Sequence, residues 1–260
     1  MRALGLRELW AYRELALFLA LRELKARYKQ AVFGAAWAVV QPLAGVVVFT
    51  IVFRRLANMP SDGLPYPLFA FAGLIAWTYI SAAVTKGTQI LVQNVPLVTK
   101  VYFPRILAPL AAAVPGLVDL VISAALLLAL APLFGVTPTW RLVTFPLWVL
   151  AALLVVLSVS TWLSALNVRY RDVNHAVTLL IQLWLFASPV AYPLSQVPDA
   201  WRQLYLLNPT VGIIEGFRWS MIGAPWPGTD VVISFTAGAV LLAGGLLYFQ
   251  HNERRFADVI

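Results

Sequence analysis

Reactive side chains are scarce in this sequence. It contains no cysteine, and its two histidines, His175 and His251, lie far apart without ligand-like neighbours, so no metal site is predicted. The phosphate-binding loop G-x-x-x-x-G-K-[ST], the nucleophile motif G-x-S-x-G and the zinc motif H-E-x-x-H are all missing from the printed sequence. These patterns predict no catalytic residue, no metal and no ATP site on this chain.

One acid stands out against an apolar background. Asp119 interrupts the otherwise uncharged run 106–134. An ionisable residue inside a membrane span is a functional candidate, because its charge is costly to place in hydrocarbon. No second group marks a proton relay, so two interpretations stay open. Asp119 is either a functional acid, as in an ion-coupled carrier, or a structural partner of an arginine or of the backbone.

The elements that carry these residues are predicted to lie in lipid. Of the 260 residues, 61% are hydrophobic and 12% are charged, against about 25% charged in soluble domains. Apolar runs of 18 or more residues predict membrane-spanning helices, because ~20 helical residues cross the hydrocarbon core. Six such spans are predicted, at residues 34–53, 64–85, 106–134, 145–166, 176–194 and 231–249. We expect an all-α integral membrane protein with a single transmembrane domain over residues 1–260.

The basic residues predict how the spans are oriented. Six spans place both termini on the same side of the membrane. Only five of the 19 Lys and Arg residues then fall on the opposite side: Arg54, Arg55, Arg141, Arg202 and Arg218. This asymmetry predicts cytoplasmic termini. The net charge of +8 therefore follows membrane topology, and no nucleic-acid partner is predicted.

Residues 1–30 predict an amphipathic helix along the cytoplasmic surface. Its uncharged apolar stretch, 15–21, is too short to span. The apolar side chains that recur at helical spacing are Leu9, Trp10, Leu17, Leu21, Leu24 and Tyr28. Such a helix is either a membrane anchor or a docking surface for a cytoplasmic partner.

Two later segments are too interrupted to cross the membrane. The cytoplasmic connection 86–105 contains Pro96 and Pro104, and its amphipathic middle predicts a short helix parallel to the membrane. The segment 198–227 is broken by Asn208-Pro209. We expect it to form two short re-entrant helices at the outer face, since irregular backbone at membrane depth is tolerated only against protein or water.

Several aromatic side chains fall at mid-span instead of at the interfaces where Trp and Tyr usually concentrate. They are Trp37, Trp77, Tyr79, Trp162, Trp184 and Phe186. Two interpretations stay open for them. They either pack between helices or line a pathway on which sugar rings slide along aromatic faces.

Several stretches, in this order, resemble the membrane subunits of type-2 ABC exporters for polysaccharides, a family that includes O-antigen, capsule and teichoic-acid exporters. The similarity covers about residues 20–223. The stretches are RYKQ at 27–30, GAAW at 34–37, QP at 41–42, FAFAG at 69–73 with Trp77, LVTKVYFPR at 97–105, LSALNVRYRD at 163–172, SPVAYP at 188–193, LNP at 207–209 and EGFR at 215–218.

The resemblance implies a permease in the bacterial inner membrane that exports lipid-linked, O-antigen-like polysaccharide. Two copies would pair in the membrane above two copies of a separate cytoplasmic ABC ATPase, which would hold ATP and Mg. No cofactor is expected on this chain. Both termini are expected to be cytoplasmic.

The resemblance also assigns residues to roles. It implies a coupling helix at 94–105 and outer gate helices at 198–223. The coupling residues are Asn94, Leu97, Lys100, Tyr102, Phe103 and Arg105, and the gate residues are Trp201, Asn208, Pro209, Glu215 and Arg218. Where the glycan enters, its pyrophosphate would meet Arg27, Lys29, Arg169 or Arg171. Arginine suits phosphate because its planar guanidinium can bind two oxygens at once. The same four residues are also explained by the excess of basic residues that orients the spans.

Other functions stay open on the sequence alone. The cargo of such an exporter could be teichoic acid, capsule, a lipid or a drug. An integral-membrane glycan-modifying enzyme and an ion-coupled carrier that depends on Asp119 are the remaining alternatives.

Overall fold

A computed structural model describes residues 10–28, 36–95, 99, 103–170, 172–253 and 256, with only the backbone of residues 26–28. Within these ranges the chain is helical and contains no strand. The α-helices are α1 Arg13–Tyr28, α2 Trp37–Phe49, α3 Tyr66–Gln93, α4 Leu107–Leu130, α5 Phe145–Arg169, α6 Val173–Phe186, α7 Asp199–Leu206, α8 Pro209–Ile222 and α9 Asp230–Glu253. A π-helix, Thr50–Leu56, prolongs α2, and two 3-10 turns, Ala131–Phe134 and Trp140–Thr144, lie between α4 and α5.

Five helical segments of the described chain are long and apolar enough to cross a bilayer. They are Trp37–Leu56, Tyr66–Gln93, Leu107–Phe134, Trp140–Arg169 and Asp230–Glu253. Each coincides with one of the predicted spans. The prediction of an all-helical protein that crosses a membrane several times is confirmed.

The predicted span 176–194 does not form one continuous helix. Helix α6 has 14 residues, a rise of about 21 Å, whereas the hydrocarbon core is ~30 Å thick. Turns follow from Ala187 onward, where Pro189 lacks the backbone N–H that a helix requires. Six complete spans are therefore not confirmed.

Helix α3 lies at the centre of the bundle. In its most apolar window 78% of the residues are buried, against 11% for Trp37–Leu56. It packs against α4, α5 and α8. Asn167 of α5 donates a hydrogen bond to the Thr88 carbonyl oxygen at 3.0 Å, which ties α5 to α3 near the C-terminal ends of both helices.

Helix α1 packs on α4 through small and medium side chains. Leu19 and Ala20 are buried with Ala111 of α4, because an alanine on each side lets the two helices approach closely. Leu17 and Leu21 of the predicted apolar face are exposed. These two residues of the amphipathic pattern therefore lie on the surface of α1 that faces away from the bundle.

Candidate functional site

Two short helices, α7 and α8, occupy the segment predicted at 198–223. Asn208 caps the second helix, since its Oδ1 accepts a hydrogen bond from the Thr210 backbone N–H at 3.1 Å. Pro209 follows as the first helical residue, where its missing N–H has no cost. The left-handed Gly223 (φ 73°) ends α8. The dipeptide that breaks the apolar run thus separates two helices at a well-capped corner.

The same asparagine joins α8 to the end of α6. The Trp184 indole N–H donates to Asn208 Oδ1 at 2.9 Å, and Asn208 Nδ2 donates to the Ala187 carbonyl oxygen at 2.8 Å. The rings of Trp184 and Trp77, which belongs to α3, meet edge to face with centroids 5.6 Å apart. We call Asn208, Trp184 and Ala187 the asparagine hub.

A buried arginine fastens the other face of α8. The Arg218 side chain is fully buried and donates to Glu215 Oε1 at 2.8 Å, to the Val190 carbonyl oxygen at 2.9 Å and to the Phe69 carbonyl oxygen at 3.3 Å. Its guanidinium lies 3.5 Å from the centroid of the Phe69 ring. We call Arg218, Glu215, Val190 and Phe69 the arginine hub.

A glycine of α3 makes room for this arrangement. A Cβ atom on Gly73 would lie 2.9 Å from Arg218 Nη2 and 3.1 Å from the Val190 carbonyl oxygen. Only a residue without a side chain lets the guanidinium reach that carbonyl. The arginine hub therefore links α3, α8 and the turn after α6.

Burial sets the electrostatics of the arginine hub. It lowers the pKa of the Arg218 guanidinium and raises the pKa of the Glu215 carboxyl, and the charge of each partner opposes the shift of the other. A lone buried charge would be costly, so each of these ions depends on its partner. Arg218 was counted among the charges that set topology, but the structure places it inside the protein.

The other predicted gate residue lies apart from both hubs. Trp201 of α7 is exposed. Its neighbour Arg202 forms an ion pair with Asp230 of α9, with Nη2 and Oδ2 2.7 Å apart. Helix α7 is thus held to the start of α9.

The two ends of the predicted coupling segment are fastened to different helices. At the first end, Arg22 of α1 donates a hydrogen bond to Asn94 Oδ1. At the second end, the Arg105 backbone N–H donates to Glu253 Oε1 at 2.7 Å, and its guanidinium donates to the Glu253 carbonyl oxygen. Phe103 is buried beside them. We call the Arg22–Asn94 and Arg105–Glu253 contacts the clamp.

Several predicted residues lie outside the described chain. They are Lys29, Leu97, Lys100, Tyr102 and Arg171, and the side chain of Arg27 is also outside it. Arg169 is described, and its guanidinium lies 5.2 Å from the centroid of the Tyr170 ring. The assignments to pyrophosphate binding and to coupling stay predictions for these residues.

The mid-span aromatic residues do not share one environment. Trp162 stacks on Tyr248 with centroids 5.0 Å apart and donates to the Leu241 carbonyl oxygen at 2.9 Å, so it packs α5 against α9. Phe186 is exposed at the end of α6. Trp37 and Tyr79 line a cavity between α2, α3 and α4.

This cavity, the polar cavity, has a volume of about 230 Å³. It brings Asp119 together with polar side chains to which the sequence reasoning had assigned no role: Gln41, Thr78 and Ser123. A signal for it exists in the sequence, because Gly116, Asp119 and Ser123 follow helical spacing and share one face of α4.

Known transport proteins are similar to most of this chain. The family model for ABC-2 type transporters matches residues 14–222. The chain is 36% identical to the O-antigen export system permease protein RfbA of Myxococcus xanthus, over 98% of each chain. It is 24% identical to a protein of the same name from Klebsiella pneumoniae over 92% of each, and 23% identical to the polysialic acid transport protein KpsM of Escherichia coli over 76% of this chain and 77% of that one.

Proposed function

This chain belongs to the ABC-2 type transporter family, and we propose that it is the membrane permease of an ATP-driven exporter of lipid-linked, O-antigen-like polysaccharide. One observation carries the proposal. The similarity to an O-antigen export permease extends over 98% of both chains, so it covers the segments that contain the spans, the hubs and the clamp.

The proposed assembly contains two copies of this chain in the bacterial inner membrane, with two cytoplasmic ATPase subunits that bind ATP and Mg. Exposed apolar side chains support the pairing of two copies. Helix α2 and its π-helical extension expose Trp37, Val47 and Ile51, and α6 exposes Leu179 and Leu183. Surfaces of this kind require lipid or a protein partner.

In this proposal both termini are cytoplasmic and the chain crosses the membrane six times. Helix α6 and the turn after it make the fifth crossing together, since the turn is held by protein contacts instead of facing lipid. The arginine hub binds the Val190 carbonyl oxygen and Tyr66 donates to the Ala191 carbonyl oxygen at 2.8 Å. Helices α7 and α8 then lie at the outer face as a gate.

The proposed mechanism uses rigid-body motion. ATP binding draws the ATPase subunits together and displaces the two coupling segments. The clamp passes this displacement to α1 and α9, and α3 passes it to the hubs. A channel between the two permease copies then widens for the glycan.

The proposal is tested by export in cells that make a lipid-linked polysaccharide but lack its exporter. Expressing this chain with its ATPase subunit is expected to place the polysaccharide outside the inner membrane. Pairing it with a catalytically inactive ATPase is expected to give no export. Export by the permease alone, or failure of the active pair to export, would contradict the proposal.

A further inference from the structure

Four of the ten tryptophans gather where the span Trp140–Arg169 begins. Trp219 of α8 lies at the centre of the group, and its ring centroid is 4.9 Å from that of Trp226 in the loop before α9. Its centroid is also 6.3 Å from that of Trp148 in α5 and 6.3 Å from that of Trp140 in the 3-10 turn before α5. We call these four residues the tryptophan cluster. It joins the start of α5 to the end of α8.

One side of the tryptophan cluster is open and continues into an apolar surface. Trp148 is buried, but Trp140 is 74% exposed and Trp226 is 55% exposed. From Trp140 an apolar stripe runs along α5, where Leu147 and Leu150 are exposed. The pairing surfaces proposed above lie on α2 and α6, so this stripe on a membrane-spanning helix is left to lipid. Because tryptophan concentrates at the boundary between headgroups and acyl chains, the cluster indicates the depth of the headgroups.

An arginine is held against the tryptophan cluster. Arg141 Nη1 donates to the Ala224 carbonyl oxygen at 3.1 Å and to the Gly223 carbonyl oxygen at 3.4 Å, just beyond the end of α8. Its guanidinium carbon lies 5.4 Å from the centroid of the Trp219 ring. Within the part of the chain that the structure describes, Arg141 forms no ion pair, and its Nε and Nη2 atoms have no acceptor. The side chain is partly exposed, so this cation is fixed in position while two of its nitrogen atoms stay available.

The free polar groups at this surface are all donors. The guanidinium of Arg141 donates only, and so do the indole N–H groups of Trp140 and Trp226, which have no acceptor among the described residues. Such a set suits a ligand rich in acceptors, and a planar guanidinium binds phosphate oxygens in pairs. A headgroup ammonium is itself only a donor and finds no side-chain acceptor in the cluster. The positive charge of Arg141 therefore favours a headgroup whose net charge is negative.

We propose that the start of α5 binds an anionic phospholipid of the surrounding membrane. Its phosphate binds the Arg141 guanidinium, Trp140 and Trp226 flank the headgroup, and its acyl chains lie along the apolar stripe of α5. The inference does not depend on the export function. It requires only that the chain lies in a membrane, and in the topology proposed above the lipid belongs to the outer leaflet. Because Arg141 also holds the carbonyl oxygens that follow α8, the bound lipid braces the end of that helix.

The test titrates the full chain, purified in detergent, with phosphatidylglycerol and with phosphatidylcholine of the same acyl chains. Native mass spectrometry gives the Kd of the most tightly bound lipid. Wild type is expected to bind phosphatidylglycerol more tightly than phosphatidylcholine. Arg141→Gln keeps a donor for the carbonyl oxygens after α8 but removes the charge. We expect it to raise the Kd for phosphatidylglycerol about tenfold or more, the loss of hydrogen bonds to a charged group, and to abolish the preference between the two lipids.

Two further variants separate binding from folding. Trp140→Leu replaces a ring that is largely exposed, so the fold is expected to persist, and the Kd is expected to rise roughly two- to tenfold. Arg55→Gln is the matched control, since Arg55 is an exposed arginine at the end of another span and belongs to the π-helix that prolongs α2; it is expected to bind as wild type. Phosphatidylglycerol is also expected to raise the melting temperature of wild type, because it binds the folded state, and to leave that of Arg141→Gln unchanged.

Three results would overturn the proposal. An unchanged Kd for phosphatidylglycerol in Arg141→Gln, or in Trp140→Leu if the arginine variant does not fold, removes the site. An equal loss of affinity in Arg55→Gln shows a general attraction of anionic lipid to basic residues. The third result uses the absence of native cysteine from this chain. If Leu147→Cys forms a disulfide-linked dimer in the membrane on oxidation, the apolar stripe is covered by a second copy of the chain and not by lipid.

Discussion

Arg218→Ala is expected to be among the most damaging single substitutions in this chain. The guanidinium donates to the Glu215 carboxylate and to the carbonyl oxygens of Val190 and Phe69. Truncation leaves a carboxylate that is only 14% exposed and two carbonyls without their donor. Breaking a buried ion pair by removing one partner costs about 3–5 kcal/mol. At about 2–4 °C per kcal/mol for a chain of this size, the melting temperature falls by roughly 6–20 °C.

The assay is thermal unfolding of the purified permease in nanodiscs, followed by tryptophan fluorescence. Arg202→Ala is the matched control, since its pair with Asp230 is partly exposed and worth about 0–1 kcal/mol. Combining Arg218→Met with Glu215→Leu removes both charges and is expected to recover much of the lost stability. The reasoning fails if Arg218→Ala melts no lower than Arg202→Ala, or if the double variant melts as low as the single one.

Three further changes probe the hubs and the clamp. Asn208→Ala removes a helix cap and the hydrogen-bond acceptor of the Trp184 indole. We expect the free energy of unfolding to fall by at least ~1 kcal/mol and the melting temperature to fall with it. An unchanged melting temperature would exclude the asparagine hub as a stabilising contact. Gly216→Ala would bring a Cβ within 2.0 Å of the Trp148 ring. Overpacking of this kind costs about 1–3 kcal/mol or more, so we expect a lower yield and a lower melting temperature. Unchanged values of both would contradict the packing of α8 on α5. Glu253→Ala leaves the Arg105 backbone N–H without its acceptor. The loss of roughly one hydrogen bond is expected to reduce glycan-stimulated ATP hydrolysis at least twofold, while the complex still assembles on gel filtration. Full stimulation would show that the clamp does not take part in coupling.

Long apolar runs were sufficient to predict five of the helices, because a bilayer imposes length and composition on each one separately. The same criterion overstated the run 176–194. Hydropathy averages over Pro189, whereas the backbone cannot continue a helix through it without losing a hydrogen bond. Hydropathy alone therefore fails to predict where a helix ends if the end depends on the backbone hydrogen bond of one residue.

The contacts of the candidate site depend on residues far apart in the chain. Arg218 donates hydrogen bonds to carbonyl oxygens of residues 28 and 149 positions away. Every residue has a backbone carbonyl, so the sequence does not indicate which ones bind the arginine. Arg22 was counted only among the basic residues on the side of the termini, and Glu253 carried no prediction. Their partners, Asn94 and Arg105, become visible only once α1 and α9 are placed beside the coupling segment.

Helix α3 joins these distant contacts into one mechanical element. It runs unbroken for 28 residues from Tyr66 to Gln93, a length of about 42 Å, whereas α2 and α4 each contain an internal proline. Phe69, near its N-terminal end, belongs to the arginine hub, and Trp77, nearer its middle, contacts the asparagine hub. Its C-terminal end leads directly into Asn94 and the clamp. Interior prolines permit bending, and α3 has none beyond its first turn. In the proposed mechanism we therefore expect a displacement of the predicted coupling segment to move α3 as a rod and to reach both hubs together.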